Sequence, residues 1–192
     1  MTSIGLTGNI ASGKSHITEI FRSLDVVAQD SDKVAHNVLN NEAFEDIKKH
    51  FPDVITNGTI DRRKLGSMVF SDDAKLKLLE SITHPIVRKK NLDFIELHKN
   101  KICLIEIPLL FETKAEEIFD HVVYVDVSEK TQKERALQRP NFTPEKLEHV
   151  LKRQHKISPE TKKQKADFVI DNNPGADTLK QIKKILEQVC AK

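Results

Sequence analysis

The sequence predicts an α/β fold: a five-stranded parallel sheet flanked by helices, with a helical lobe inserted into it. Three observations predict it. The apolar runs at 3–7, 102–107, 122–127 and 168–170 are continuous rather than alternating, as strands buried on both faces are. Helical spacings fill the chain between them. Near the start, Gly8-Asn9-Ile10-Ala11-Ser12-Gly13-Lys14-Ser15 fits G-x-x-x-x-G-K-[ST], a loop that joins a strand to a helix around the phosphates of a nucleoside triphosphate.

The elements follow in order. The strand at 3–7 stops at Gly8, and Ile17, Ile20, Phe21 and Leu24 then make a helix face. A second strand, 25–30, runs into Asp30-Ser31-Asp32. No strand is predicted from 33 to 99. Val34, Val38 and Leu39 share a helix face, continued by Phe44, Ile47 and Phe51 after Asn40-Asn41. Asn57-Gly58 is a turn. Leu65, Met68 and Val69 form another face, and Leu76, Leu79 and Ile82 the next, capped by Ser71-Asp72-Asp73. His84-Pro85 opens a separate helix, since proline suits a first turn. After the strands at 102–107 and 122–127 comes a helix at 129–138. A last strand, 168–170, precedes an amphipathic closing helix with Leu179, Ile182, Ile185, Leu186 and Val189. The expected organisation is a nucleotide-binding core of 1–32, 100–138 and 166–192, a helical lobe at 33–99, and a small mobile lobe at 139–165.

Bulk properties narrow the class. A chain of 192 residues fits one domain, or one core with inserted lobes. The 31 Lys and Arg against 29 Asp and Glu leave a net charge of +2, which indicates neither a global nucleic-acid grip nor an acidic tail. Cys103 and Cys190 lack C-x-x-C spacing and read as reduced thiols. No apolar run approaches the ~20 residues of a membrane span, and the first residues carry no basic signal region. A cytoplasmic protein is the expectation.

The loop's chemistry is specific. Gly8 and Gly13 permit backbone conformations that bring N–H groups onto phosphate oxygens. The helix behind them presents about half a positive charge at its N-terminus. Lys14 should reach the β- and γ-phosphates of the nucleotide, and the Ser15 hydroxyl should bind Mg²⁺. The fate of the γ-phosphate is a separate question. A guanine-reading N-K-x-D is absent, since Asn100-Lys101 lacks the Asp. The strand at 102–107 carries Glu106 and ends at Pro108 rather than in the acidic end of a motor ATPase. Transfer to a small molecule is therefore favoured over hydrolysis.

Asp30 and Asp32 lie where ligands bind in open α/β sheets, at a strand's carboxyl end. A carboxylate there can align an acceptor hydroxyl and take its proton, while the other orients metal-bound water. The competing reading has Asp30 or Ser31 capping a helix and Asp32 on the surface. Arg135 and Arg139, four apart, would share one helix face. They suit either a phosphate clamp or a solvated basic face. Residues 151–165 hold six Lys or Arg against one Glu but no aromatics for base stacking, which fits a lid over phosphates better than a nucleic-acid tail. His84 could contact an anion or cap its helix. No histidine pair has metal-ligand spacing. Two other classes stay open at this point: a kinase for a nucleoside or shikimate-like alcohol, and a nucleotide switch or RNA-binding protein using 151–165.

The residues also carry a resemblance. The landmarks "IGLTGNIASGKS" (4–15), "DSDKVAH" (30–36), "GTIDRRKLGSMVF" (58–70), "LLESITHPIV" (78–87), "IPLLFE" (107–112), "RALQRP" (135–140), "LKRQHK" (151–156) and "ADFVIDNN" (166–173) occur in order along the chain. In them the sequence resembles the dephospho-coenzyme A kinase family over essentially its whole length. The resemblance implies the fold of P-loop nucleoside-monophosphate-type kinases. It implies transfer of phosphate from ATP, with Mg²⁺, to the 3′-hydroxyl of dephospho-CoA. It implies that Gly8, Ala11, Ser12, Gly13, Lys14, Ser15, His16, Arg135 and Asn172 hold the nucleotide, with Asn172 by the adenine. Asp30, Asp32, His84, Leu109 and Glu112 would face the acceptor. Asp32, Lys14 and Arg139 would carry the catalysis, with Arg139 on the lid side. A monomer or weak homo-oligomer without nucleic-acid or membrane partners is expected. The family's loop usually reads G-G-x-G-x-G-K-S-T, so Asn9, Ala11 and His16 depart from it. Asn tolerates left-handed backbone better than most residues, and Ala11 implies a backbone that need not be left-handed.

Overall fold

The computed structural model of the chain describes residues 2–70, 72–140 and 142–190. The elements are β1 (Thr2–Thr7), α1 (Lys14–Ser23), β2 (Val27–Asp30), α2 (Ser31–Leu39), α3 (Phe44–His50), β3 (Ile55–Thr56), β4 (Thr59–Ile60), α4 (Arg62–Phe70) and α5 (Asp73–Leu97). They continue as β5 (Ile102–Glu106), β6 (His121–Asp126), α6 (Glu129–Leu137), α7 (Pro144–Gln154), α8 (Pro159–Lys165), β7 (Phe168–Asp171) and α9 (Thr178–Cys190). The chain divides into two compact units, 1–30 with 95–192, and 31–94.

The first unit is built on a five-stranded sheet of order β2-β5-β1-β6-β7. Every neighbouring pair in it is parallel. β1 is central and almost wholly buried, which is why Ile4-Gly5-Leu6 carries no polar alternation. Ile17 and Phe21 of α1 and Ile182, Ile185 and Val189 of α9 pack with Ile4, Leu6, Leu104, Val123, Val125 and Ile170. Gly5 is required by crowding, because a Cβ there would lie 2.7 Å from both Leu110 and Phe119 side chains. From β1 the chain moves to the β2 edge, and from β5 it crosses to β6 on β1's other side. The carboxyl end of β1 is therefore a switch point of the sheet, where open α/β folds bind ligands. The phosphate loop begins there.

The second unit has its own core of Val38, Ala43, Ile47, Phe51, Val54, Ile60, Leu65 and Val69. Two local readings change here. The expected strand-free stretch contains the hairpin β3-β4, in register Ile55↔Ile60 and Thr56↔Thr59. Asn57 (φ 51°) and Gly58 (φ 77°) both have positive φ, as a two-residue hairpin turn of the primed type requires. The expected helix start at His84-Pro85 is also corrected. α5 runs unbroken from Asp73 to Leu97 with Pro85 inside it. Its apolar face continues through the proline, since Leu78, Leu79, Ile82, Ile86 and Val87 all pack on the same core. Asp72 Oδ1 accepts from the Ala74 and Lys75 amides at the head of α5, as its capping role predicts. Ser71 lies outside the described residues.

Candidate phosphate-transfer site

The loop from Gly8 to Gly13 leads into α1 at Lys14. Gly13, at φ 91°, is the residue before α1 and, having no side chain, gives the first helical N–H groups no side-chain cap. Those donors face the anion-binding end of the helix dipole. A Cβ on Gly13 would fall on Asn172 Nδ2, and one on Gly8 would lie 2.7 Å from both Ser12 Oγ and Val125 O. Both glycines are thus fixed by close approach. Ser12 Oγ is buried with no hydrogen-bond partner among the described residues. An orphaned hydroxyl is costly unless a ligand satisfies it. Lys14 Nζ donates to Gly8 O (2.9 Å) and Asn9 O (3.3 Å), so its ammonium is folded over the loop's own carbonyls. Ser15 and His16 are exposed on the first turn of α1. This donor set fits phosphate and a hydroxyl-bound Mg²⁺.

The loop's backbone corrects one expectation. Ala11 has φ 59° and is left-handed, whereas Asn9 has no positive φ. Left-handed backbone costs a non-glycine residue roughly 1–2 kcal/mol. The Ala11 methyl offsets part of that by packing with Ala136 and Leu147, at 5% exposure. Asn9 serves through its side chain, whose Oδ1 accepts from Lys162 Nζ at 3.2 Å.

Other elements converge on the loop. Asn172, directly after β7, donates from Nδ2 to Ser12 O (2.7 Å) and accepts on its carbonyl from Arg135 Nη2 (3.1 Å). Asn172 and Arg135, both expected near the nucleotide, are therefore gathered at Gly13. Arg139 is not on the same helix face as Arg135, because α6 ends at Leu137. It is exposed beyond the helix end, where its N–H bonds Ala136 O. Asp30 ends β2 opposite Glu106 of β5, so two carboxylates sit at adjacent carboxyl ends of the sheet. Glu106 Oε2 accepts from Thr18 Oγ1 of α1 at 3.0 Å. Leu109 is half-buried in the turn after β5, and Glu112 pairs with Lys162 Nζ at 2.6 Å. Asp32, exposed in the first turn of α2, and His84, exposed midway along α5, belong to the 31–94 unit.

The sequence reading did not single out Lys162, Gln154, Gln132 or Thr18. Gln154 Oε1 accepts from Ile10 N (2.7 Å), and Gln132 Nε2 donates to Ile10 O (2.9 Å). Nothing separates Lys162 from its neighbours in a run of basic residues, and α8 is too short to show a period. Among the described residues no group of three or more His, Cys, Asp and Glu is arranged to hold a metal, and no helix is long and apolar enough to cross a membrane.

Comparisons with known proteins agree with this geometry. The family model described as dephospho-CoA kinase matches residues 2–178. The dephospho-CoA kinase of Rhodopseudomonas palustris is 40% identical over 97% of this chain and 95% of its own length. That of Rhizobium meliloti is 38% identical over the whole of both chains. A crystal structure from Thermus thermophilus superposes with a TM-score of 0.83 at 32% identity, covering 97% of each chain. The dephospho-CoA kinase of Campylobacter jejuni gives 0.67 at 31% identity, over 98% of this chain and 97% of that one. Shikimate kinase from Acinetobacter baumannii, at 0.57 and 19% identity over 100% and 94%, shares the fold. An intact phosphate loop at the switch point of a kinase-type sheet, and a match along nearly the whole sequence, place this chain in the dephospho-CoA kinase family.

Proposed function

We propose that this chain transfers the γ-phosphate of ATP to the 3′-hydroxyl of dephospho-CoA, giving CoA and ADP, the final step of coenzyme A synthesis. The observation that carries the reading is the loop at the end of β1, in a chain whose family match runs from residue 2 to 178. Lys14 leaves the Gly8 and Asn9 carbonyls to hold the β- and γ-phosphate oxygens, and the loop amides and Ser12 hydroxyl complete the cradle. Mg²⁺, held through Ser15, supplies charge neutralisation to the triphosphate. Asp32 aligns the acceptor hydroxyl and takes its proton, and Asp30 supports it from the end of β2. Arg135, already at Gly13, and Arg139 spread the charge of the transferring group. Residues 33–99, with His84 among them, hold the acceptor, and 139–165 act as a lid that excludes water. The protein works in the cytoplasm as a monomer or weak homo-oligomer.

One assay tests it: purified protein with Mg-ATP and a panel of alcohols, following ADP release. Turnover confined to dephospho-CoA is expected. Asp32→Asn should cut kcat by about 10²–10⁴ while ATP still binds. Full turnover in that variant would remove Asp32 as the base.

A further inference from the structure

Lys162 is the least expected residue of the first unit. It sits on α8 between lysines that reach solvent, half-buried Lys163 and exposed Lys165, yet it is 2% exposed. An ammonium carries three N–H groups and no acceptor. Here three oxygens surround it: Glu112 Oε1 at 2.6 Å, Gln154 O at 2.7 Å and Asn9 Oδ1 at 3.2 Å. Burying a charge is costly unless it is both paired and hydrogen-bonded, and this one is both.

The three acceptors come from separate stretches of chain: the phosphate loop, the turn after β5 and the last residue of α7. The same Gln154 accepts the Ile10 amide on its side chain, and Gln132 of α6 donates to the Ile10 carbonyl. Ile10, Phe142 and Leu151 close round Ala11, Ala136 and Leu147 beside this group. Residues 9–11 of the loop are therefore gripped from outside by α6, α7 and α8, and Lys162 is the charged centre of the grip. The loop's amides must point at phosphate with little freedom, because misdirected donors lose affinity and rate together.

We propose that Lys162 is a positioning residue for phosphate transfer: it ties α7 and α8 to Asn9 of the phosphate loop and fixes the Glu112 carboxylate in place. The proposal rests on the kinase reading above. Its test uses the full chain, with Mg-ATP affinity measured by calorimetry without acceptor, turnover measured with dephospho-CoA, and stability measured by urea unfolding. Lys162→Met should weaken Mg-ATP binding by roughly tenfold to hundredfold, the worth of charged hydrogen bonds. Asn9→Ala should weaken it several-fold, and adding it to Lys162→Met should weaken it no further, because the two act through one contact. Lowered urea midpoints with unchanged Mg-ATP affinity would reduce Lys162 to a structural ion pair and overturn the proposal. If Lys162→Met does not fold, Asn9→Ala and the Glu112→Leu/Lys162→Met pair, which buries no lone charge, carry the test. Wild-type Mg-ATP affinity in either of these overturns it. A protein that binds Mg-ATP but ignores dephospho-CoA would overturn the acceptor assignment instead and leave this measurement standing.

Discussion

Gly13 meets two constraints at once. Its φ of 91° is closed to most side chains, and a methyl group there would displace Asn172, which holds Ser12 O. Left-handed strain of about 1 kcal/mol and a lost buried hydrogen bond of about 1–2 kcal/mol add in the same direction. Gly13→Ala is expected to lower the unfolding free energy in urea by about 2–3 kcal/mol and to weaken Mg-ATP binding. Ala11 is the opposite case. Ala11→Gly relieves about 1 kcal/mol of strain but removes a buried methyl worth about 0.8 kcal/mol. Its stability should stay within about 1 kcal/mol of wild type, and a larger loss would show that the methyl's packing dominates. These two positions mark what a sequence discloses at this scale. Gly8, Gly13, Lys14 and Ser15 are legible because the chemistry of phosphate demands those residue types at that spacing. The left-handed residue of the loop is not. Intrinsic preference points to Asn9, but packing against Ala136 and Leu147 puts it at Ala11, and Lys162 occupies the Asn9 side chain. Partners more than 120 positions away decide both, and no local pattern records them.

At the scale of elements, the strands of the five-stranded sheet and most of the amphipathic helices were legible, whereas the β3-β4 hairpin and the passage of α5 through its proline were not. His84-Pro85 has the form of a helix start, yet α5 continues through it because one apolar face serves both halves. Proline in a helix interior removes one backbone hydrogen bond and costs about 3 kcal/mol relative to alanine. Alanine frees the unfolded chain by up to about 1 kcal/mol. Pro85→Ala should therefore raise the unfolding free energy by about 1–2 kcal/mol in urea titrations. A drop would mean that the proline ring's own packing outweighs the lost hydrogen bond. The caps of α4 and α5 give a pH dependence. The Lys64 amide, with that of Arg63, holds the Asp61 carboxyl below the ordinary aspartate range, and the Lys75 amide, with that of Ala74, does the same for Asp72. A depressed carboxyl pKa contributes stability above its unfolded value and loses it as the pH falls through the folded value. Urea midpoints should thus decline below about pH 4. The Asp61→Asn/Asp72→Asn protein, which keeps cap acceptors but cannot titrate there, should show a shallower decline between pH 6 and pH 3.

The whole molecule places its chemistry by topology. Five parallel strands, with β1 central, the β1–β2 connection on one side of it and the β5–β6 connection crossing to the other, open a crevice at the head of α1. The parallel sheet followed from the continuous apolar runs, but the order β2-β5-β1-β6-β7 has no counterpart in local sequence, since it is set by pairings between strands far apart along the chain. Those cores are separate: one under the sheet, the other within 31–94. Ligand linkage tests the division of labour proposed for them. A ligand at one hundred times its Kd stabilises the native state by about 2.7 kcal/mol. For a chain of this length that is a rise of about 5–10 °C in Tm. Mg-ATP and dephospho-CoA, each added alone at such a concentration, should both produce a shift of this size. In Lys14→Ala the Mg-ATP shift should largely vanish, because the phosphates lose the ammonium of the loop. The dephospho-CoA shift should survive, because its proposed contacts at Asp32, His84 and Leu109 do not involve Lys14. If both shifts disappear together, donor and acceptor share a site centred on Lys14, and the assignment of the helical lobe to the acceptor is wrong.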